Sequence, residues 1–243
     1  MTGLEPIHRP IVDYVESWLD GDATRMATCL HPALAKRAAV DDATGALTLD
    51  EAPFAVMTTD AVAGGPKAYG RAMEVEVLER AGDIASARVV SEPFVDHLHL
   101  ARFGDRWLIV NALYQRRPAA DAPGDPVPAR RVLDAYASSW FDRDVERARA
   151  VYHPDFVERR DVHPDDGLDL EEVSMQDVID EVSEGAPHGI ERSWDARVLS
   201  VDGHMASGAV SVGPWDVHAH LGRFGDRWLI VNILYRTNPE TPR

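Results

Sequence analysis

The sequence contains a single cysteine, comparatively few basic residues and no long apolar run. The lone cysteine, Cys29, excludes an internal disulfide. The longest apolar runs, Trp107–Tyr114 and its later counterpart, are of strand length and too short to span a bilayer. A formal net charge of −16 over 243 residues disfavours binding to nucleic acid or to an anionic membrane, because both need a basic patch. Residues 1–6 lack the basic and apolar regions of a signal peptide, so we expect a cytoplasmic location.

One stretch of the chain occurs twice. Residues 97–114 read HLHLARFGDRWLIVNALY and residues 218–235 read HAHLGRFGDRWLIVNILY, with three differences. Each copy has two strand-like runs around a Gly-Asp pair, which is typical of a β-hairpin. Further matches extend toward the start of each copy. They predict a tandem duplication, with one domain over residues 1–117, a proline-rich linker over residues 118–128 and a second domain over residues 129–243.

The two copies share the same predicted order of elements at their start. Apolar residues at helical spacing predict a first helix. Asp22 and Asp144 stand where a side-chain cap would begin a second helix. His31 and His153, each followed by proline, are expected at the end of that second helix, because the residue before a proline is pushed out of the helical region.

A strand, a third helix and four further strands complete each copy. Thr48–Glu51 and Asp169–Glu172 resemble a capping box and predict the start of the third helix. Helices followed by an antiparallel meander predict an α+β fold, in which three helices pack on a curved, mainly antiparallel sheet. The last strand is apolar on both faces, so we expect the two halves to pack sheet to sheet as an intramolecular pseudo-dimer; a further homodimer stays open.

Three motifs carry a resemblance to a known family. They are the Tyr-xxx-Trp-Leu-Asp-Gly-Asp segment that ends at Asp22, the His-Pro pair after the second helix, and the terminal strand Gly-Asp-Arg-Trp-Leu-Ile-Val-Asn. Together with the order of elements they resemble the NTF2-like superfamily, and within it the SnoaL-like and lumazine-binding group. The resemblance covers nearly all of both halves. It implies two cone-shaped domains, each with a mostly apolar pocket.

The activities of that superfamily are diverse. Its members include ketosteroid isomerases, polyketide cyclases, dehydratases and epoxide hydrolases, as well as proteins with no known reaction, so the fold alone does not define a function. The resemblance to the isomerases implies that Tyr14 and Tyr136 donate to an oxyanion in the pocket, where a phenol can stabilise a developing enolate. The alternative is that both tyrosines belong to the core, with their hydroxyls satisfied locally.

The resemblance to the isomerases is incomplete at the other site positions. Asp96, in an Asp-His-Leu motif, resembles the isomerase aspartate that is protonated and acts as a second oxyanion donor, whereas the second copy has Val217 there. Such an aspartate works only if desolvation raises its pKa. The position of the isomerase general base falls on Ala38 in the first copy and on Arg160 in the second, and neither side chain can serve as a general base. Steroid isomerisation itself is therefore not expected.

Four histidines form two His-x-His pairs, namely His97 with His99 and His218 with His220. Residues at i and i+2 of a strand share a face, which suits an acid/base relay in the pocket or a metal between the halves. The alternative is a polar seam on the sheet face opposite Asp96. Spacing fixes no third ligand, so we predict neither a metal nor a cofactor.

The remaining candidates are large or polar side chains expected on the pocket wall, where they would bind the substrate: Trp18, Asn111, Trp140, Trp194, Trp215 and Asn232. Two functions stay open. The first is a cofactor-independent cyclase, isomerase or dehydratase, which would use Tyr14 or Tyr136 as electrophilic donor and Asp96 or a strand histidine as acid or base on an apolar substrate. The second is a non-catalytic protein that binds a small apolar or aromatic ligand.

Overall fold

A computed structural model describes residues 4–39, 48–117, 124–160 and 168–238. In these ranges the chain divides into two compact units, each built on its own sheet with three helices. The elements of the first unit are α1 (Glu5–Asp20), α2 (Ala23–Cys29), β1 (Leu30–Ala39), β2 (Leu49–Glu51), α3 (Phe54–Thr58), β3 (Glu74–Ala81), β4 (Ile84–Val90), β5 (Phe94–Phe103) and β6 (Arg106–Arg116).

The second unit repeats this order. Its elements are α4 (Val127–Asp142), α5 (Val145–Val151), β7 (Tyr152–Arg160), β8 (Glu171–Val173), α6 (Met175–Glu184), β9 (Trp194–Asp202), β10 (Met205–Val212), β11 (Trp215–Phe224) and β12 (Arg227–Thr237). Residues 118–123 of the predicted linker lie outside the described residues, and residues 127 and 128 already belong to α4.

Both sheets have six strands in the same order. The first runs β2-β1-β6-β5-β4-β3 and the second β8-β7-β12-β11-β10-β9. The pairs β1–β6 and β7–β12 are parallel, and every other pair in the described sheets is antiparallel. The predicted fold class is confirmed: two tandem α+β domains, each with helices on a mainly antiparallel sheet.

The repeated stretch forms the predicted hairpin in each unit. Strands β5 and β6 pair from Phe94 opposite Arg116 to Phe103 opposite Arg106, with a one-residue shift of register between His99 and Leu100. The turn between them needs a residue with positive φ, and Gly104 supplies it at φ 62°. The second hairpin, β11 with β12, uses Gly225 at φ 59°.

The predicted caps of the second helices are confirmed. The Asp22 carboxylate accepts a hydrogen bond from the backbone N–H of Arg25 at 3.0 Å, and Asp144 accepts from that of Arg147 at 2.9 Å. Each aspartate satisfies an N–H group that has no partner within the helix.

The predicted start of the third helix is wrong in both units. Residues 49–51 form β2, which pairs with β1, and residues 171–173 form β8, which pairs with β7. The third helices begin several residues later, at Phe54 and Met175. In the second unit the capping box is formed by Ser174 and Asp177, where each side chain accepts from the other residue's backbone N–H.

The two proline-linked histidines also differ in place from the prediction. Helices α2 and α5 end at Cys29 and Val151, and His31 and His153 lie in the strands that follow. Both imidazoles are buried. The strand begins before the His-Pro pair because the extended conformation that proline imposes on its predecessor is also that of a strand.

The helices bury one apolar face against each sheet. In α1, Ile7, Ile11 and Tyr14 follow one another at helical spacing and pack into the core of the first unit, where Leu98 and Leu100 of β5 meet them. Cys29 is buried in the same core, as expected of a small apolar residue. None of the helices in the described ranges is long and apolar enough to cross a lipid bilayer.

Candidate functional site

Each unit has a cavity between its helices and its sheet. The cavity of the first unit has a volume of about 140 Å³ and that of the second unit about 250 Å³. We call them the first and second cavity. They are built from equivalent elements, because α1 and α4, β1 and β7, and β6 and β12 contribute residues to their walls.

The first cavity contains a cluster of three polar side chains. The Tyr14 hydroxyl of α1 donates to Asp96 Oδ1 of β5 at 2.8 Å. Lys36 of β1 donates from Nζ to the same carboxylate oxygen at 2.9 Å and also to the Tyr14 hydroxyl. Its Nζ lies 3.7 Å from the centroid of the Tyr114 ring, which is a cation–π distance. Tyr14, Lys36 and Asp96 thus satisfy one another.

Burial affects two members of the cluster in opposite directions. It lowers the pKa of the Lys36 amine, while the neighbouring Asp96 carboxylate acts against this shift. Burial raises the pKa of the Tyr14 phenol well above its ordinary value, and the negative charge of Asp96 adds to the effect. Tyr14 therefore remains a hydrogen-bond donor throughout the physiological pH range.

The second cavity contains a buried carboxyl group that forms no ion pair with any described residue. Glu158 of β7 is 4% exposed, and its Oε2 accepts no hydrogen bond from the described residues. Burial, with a further contribution from the charge of Glu181, raises the pKa of Glu158 to about 8, and the nearby Arg160 opposes the shift. At neutral pH the group is therefore mostly a protonated acid.

Arg160 does not neutralise Glu158 directly. Its guanidinium donates to Glu181 of α6 at 2.7 Å and lies 3.7 Å from Glu171. Burial raises the pKa of the Tyr136 and Tyr152 phenols well above the ordinary value, and the charge of Glu158 adds to it. The second cavity thus combines one neutral acid with two neutral phenols.

Aromatic rings form much of the remaining wall. Trp140 meets Trp215 edge to face with ring centroids 5.1 Å apart, and both line the second cavity. In the first cavity Trp18 meets Phe94 edge to face at 5.5 Å. Such walls suit apolar or aromatic ligands, because flat rings bury a large area with little loss of conformational entropy.

The two cavities differ most at one equivalent position. Lys36 pairs in register with Ala112 of β6, and Glu158 pairs in the same way with Ile233 of β12. One cavity thus holds an amine where the other holds a carboxyl group. Asp96 likewise has Val217 as its counterpart, so the second cavity carries no built-in pair of opposite charges there.

Several predicted site residues lie on these cavities. Tyr14, Asp96 and Trp18 line the first cavity, and Tyr136, Trp140 and Trp215 line the second. Trp194 is not among the wall residues of the second cavity; it stacks on Phe141, and its indole N–H donates to Asp134 at 3.0 Å.

The His-x-His pairs are not brought into either cavity. Side chains alternate along a strand, so His97 and His99 face away from Asp96 and Leu98. His99 Nδ1 lies 3.2 Å from the side-chain amide nitrogen of Asn111, and His220 and Asn232 repeat the contact at 3.3 Å. With His218, all these residues are buried. The histidines and asparagines predicted at the site therefore lie on the sheet face opposite the cavity.

Sequence reasoning missed Lys36 and Glu158. Both lie two residues before the positions, Ala38 and Arg160, at which the isomerase base was sought, and so on the same strand face. The signal that could have found them is the opposite charge at matched positions of the two copies. Among the described residues, no group of three or more His, Cys, Asp or Glu side chains is arranged to hold a metal ion.

The first unit of the chain is similar to a known protein family. Residues 4–115 match the family described as "Putative lumazine-binding". The match covers most of the first unit and stops short of half of the chain, and the second unit repeats the motifs and topology of the first. No curated protein is significantly similar to the chain.

Several solved structures similar to the chain carry NTF2-like descriptions, and others are described differently. An NTF2-like protein of unknown function from Shewanella baltica OS155 is 18% identical over 47% of this chain and 93% of its own, with a TM-score of 0.39. An NTF2-like protein of unknown function from Methylobacillus flagellatus KT is 20% identical over 47% and 92%, with a TM-score of 0.38. A ketosteroid isomerase-like protein from Erwinia carotovora atroseptica SCRI1043 is 11% identical over 46% and 95%, with a TM-score of 0.34.

Proposed function

We propose that this protein is a small-molecule enzyme of the SnoaL-like type, which performs cofactor-independent acid/base chemistry on an apolar or aromatic substrate in the second cavity. The observation that carries the proposal is Glu158, a buried carboxyl group on the cavity wall with a raised pKa and an oxygen that accepts no hydrogen bond from the described residues. Perturbed carboxyl groups of this kind are characteristic of catalytic acids.

The charge state of Glu158 defines its role. With a pKa of about 8, the protonated form exceeds the ionised form roughly tenfold at pH 7. Glu158 can then act as a general acid toward a carbonyl or hydroxyl oxygen of the substrate. Tyr136 and Tyr152 supply hydrogen-bond donors that stabilise negative charge as it develops on that oxygen.

The larger volume and the aromatic wall favour a ring-containing substrate. Trp140 and Trp215 offer two mutually perpendicular faces, and Tyr235 closes the wall at the level of Arg160. The substrate we propose is therefore an aromatic or cyclic ketone, or a hydroxyketone, whose oxygen reaches Glu158 while its ring contacts the tryptophans.

The test is proton exchange at the carbon next to a carbonyl. The full chain is incubated in D₂O with aromatic ketones such as 1-tetralone, and loss of the α-proton signal is followed by NMR. We expect the wild type to accelerate exchange and Glu158→Gln to abolish the acceleration, since the amide has no acidic proton. The control is Glu191→Gln, which changes an exposed carboxylate of the same unit and should retain it.

The pH profile adds a second criterion. A general acid is active while protonated, so the rate should fall as the pH rises through about 8. An equal rate in wild type and Glu158→Gln would contradict the catalytic role of this residue.

The second candidate function is binding without turnover, which the first cavity favours because Tyr14, Lys36 and Asp96 already satisfy one another there. Native mass spectrometry of the purified chain, followed by identification of any released compound, separates the two functions. A copurified aromatic molecule that the wild-type protein does not convert would support the binding role.

A further inference from the structure

Lysine is unusually scarce in this chain. There are two lysines, Lys36 and Lys67, against 23 arginines. Lys67 is partly exposed in a loop after α3, whereas Lys36 is buried at the wall of the first cavity. Arginine remains charged in proteins and is a poor nucleophile, but a buried lysine can lose its proton and react through its amine. A chain that otherwise uses arginine thus places one of its two lysines at a cavity.

The fold does not require a charged pair at this place. The second unit forms the same six-stranded sheet with Glu158 instead of Lys36 and Val217 instead of Asp96. Replacing a buried ion pair by well-packed apolar residues is often neutral or stabilising, so such a pair is weak evidence for a structural role. A chemical role for the amine is the better explanation.

We propose that Lys36 is a nucleophile that captures a small aldehyde or ketone as an imine in the first cavity. Three groups around its Nζ suit the reaction. The Asp96 carboxylate at 2.9 Å can accept a proton, the Tyr14 hydroxyl can donate to the carbonyl oxygen, and the Tyr114 ring face at 3.7 Å stabilises positive charge. The cavity beyond, with Trp18 and Phe94 on its wall, receives the apolar part of the compound.

The reaction needs no co-reactant. The Lys36 ammonium gives one proton to Asp96, and the free amine attacks the carbonyl carbon. A C–N bond forms, the C=O π electrons move to oxygen, and that oxygen takes up the proton held by Asp96, which returns to its carboxylate form. The hydroxyl group then leaves as water with a second proton from the amine, while the nitrogen lone pair closes the C=N bond. One ammonium and one carbonyl compound give one protonated imine and one water, and the positive charge stays beside Asp96.

Enclosure of the amine supports the first step. Burial lowers the pKa of Lys36, which increases the fraction of free amine at neutral pH. An ordinary exposed lysine, with a pKa of about 10.4, is free amine to less than about 0.1% at pH 7. Lys36 should therefore react faster with an aldehyde than it would as an exposed lysine.

Reductive trapping tests the proposal. The folded full chain is mixed at pH 7 with benzaldehyde, and sodium borohydride is added to reduce any imine to a stable secondary amine. Intact mass spectrometry counts the adducts, and peptide mapping locates them. We expect one adduct on Lys36, with an occupancy at least about tenfold above that of Lys67. The matched variants are Lys36→Arg, which should lose this adduct, and Lys67→Arg, which should keep it.

The outcomes are distinguishable without relying on any variant. Labelling of Lys67 or the N-terminus with no label on Lys36 in the folded wild type would overturn the proposal, as would labelling of Lys36 only after unfolding in urea. Circular dichroism of Lys36→Arg separates loss of the nucleophile from loss of the fold. The inference concerns the first unit, so it holds or fails independently of the acid proposed in the second cavity.

Discussion

Ionisation of Glu158 should make the second unit lose stability as the pH rises. The pKa of this group is about 8 in the folded chain, against an ordinary value of 4.5. Between these two pH values the folded state holds one proton more than the unfolded state. The free energy of unfolding therefore falls with increasing pH, by about 1.4 kcal/mol per pH unit for this group.

The size of the effect follows from the two pKa values. Stability from the protonated group is fully present below pH 4.5 and is lost as the pH passes through about 8. The total change is about 5 kcal/mol, of which roughly 3 to 4 kcal/mol falls between pH 5 and pH 8. Glu158→Gln has a neutral side chain of nearly the same shape at every pH, so it should lack this part of the pH dependence.

Urea unfolding at pH 5 and pH 8 measures the difference. Tryptophan fluorescence is a suitable probe, because Trp140, Trp194, Trp215 and Trp228 all lie in the second unit. At pH 5 we expect wild type and Glu158→Gln to be similar, and at pH 8 the variant should be the more stable by roughly 3 to 4 kcal/mol. The exposed carboxylate variant Glu191→Gln should follow the wild type. Parallel pH curves for wild type and Glu158→Gln would refute the reasoning.

Two further predictions concern stability. Asp96→Ala should lower the free energy of unfolding of the first unit by about 3 to 5 kcal/mol in urea, because Lys36 loses its buried countercharge. The double variant Asp96→Leu with Lys36→Met should recover most of this loss. If the effects of the two single substitutions simply add in the double variant, the pairing is contradicted. Arg143→Gly should raise the melting temperature and increase the free energy of unfolding by about 1 kcal/mol. Arg143 ends α4 with a positive φ of 55°, which favours glycine, and its counterpart at the end of α1 is Gly21 at φ 70°. An unchanged or lower melting temperature would show that contacts of the arginine outweigh the backbone strain.

Local sequence patterns predicted much of the fold. They failed where the same pattern is compatible with both a helix start and a strand. The hairpin around Gly104 and the aspartate caps of α2 and α5 depend on a few neighbouring residues, and these were confirmed. Thr48–Glu51 matches a capping box as a motif, but residues 49–51 pair with β1 and do not open a helix. That pairing joins segments distant in sequence, which no local pattern contains.

The candidate site was predictable only in part. Tyr14 and Asp96 were named from motif spacing, and the structure brings them within hydrogen-bonding distance of each other. Lys36 and Glu158 stand in no motif, and their importance depends on enclosure by helices and sheet. The His-x-His pairs were predicted from residue type and spacing alone. Alternation along β5 places His97 and His99 on the sheet face away from the cavity, and residue type does not determine that face.

The opposite charges of Lys36 and Glu158 show what fusion of two copies in one chain permits. In a homodimer of single-domain subunits, one codon specifies the residue in both cavities, so a useful change in one is imposed on the other. In this chain the two positions are encoded separately. A substitution can then change the chemistry of one cavity and leave the other as it is.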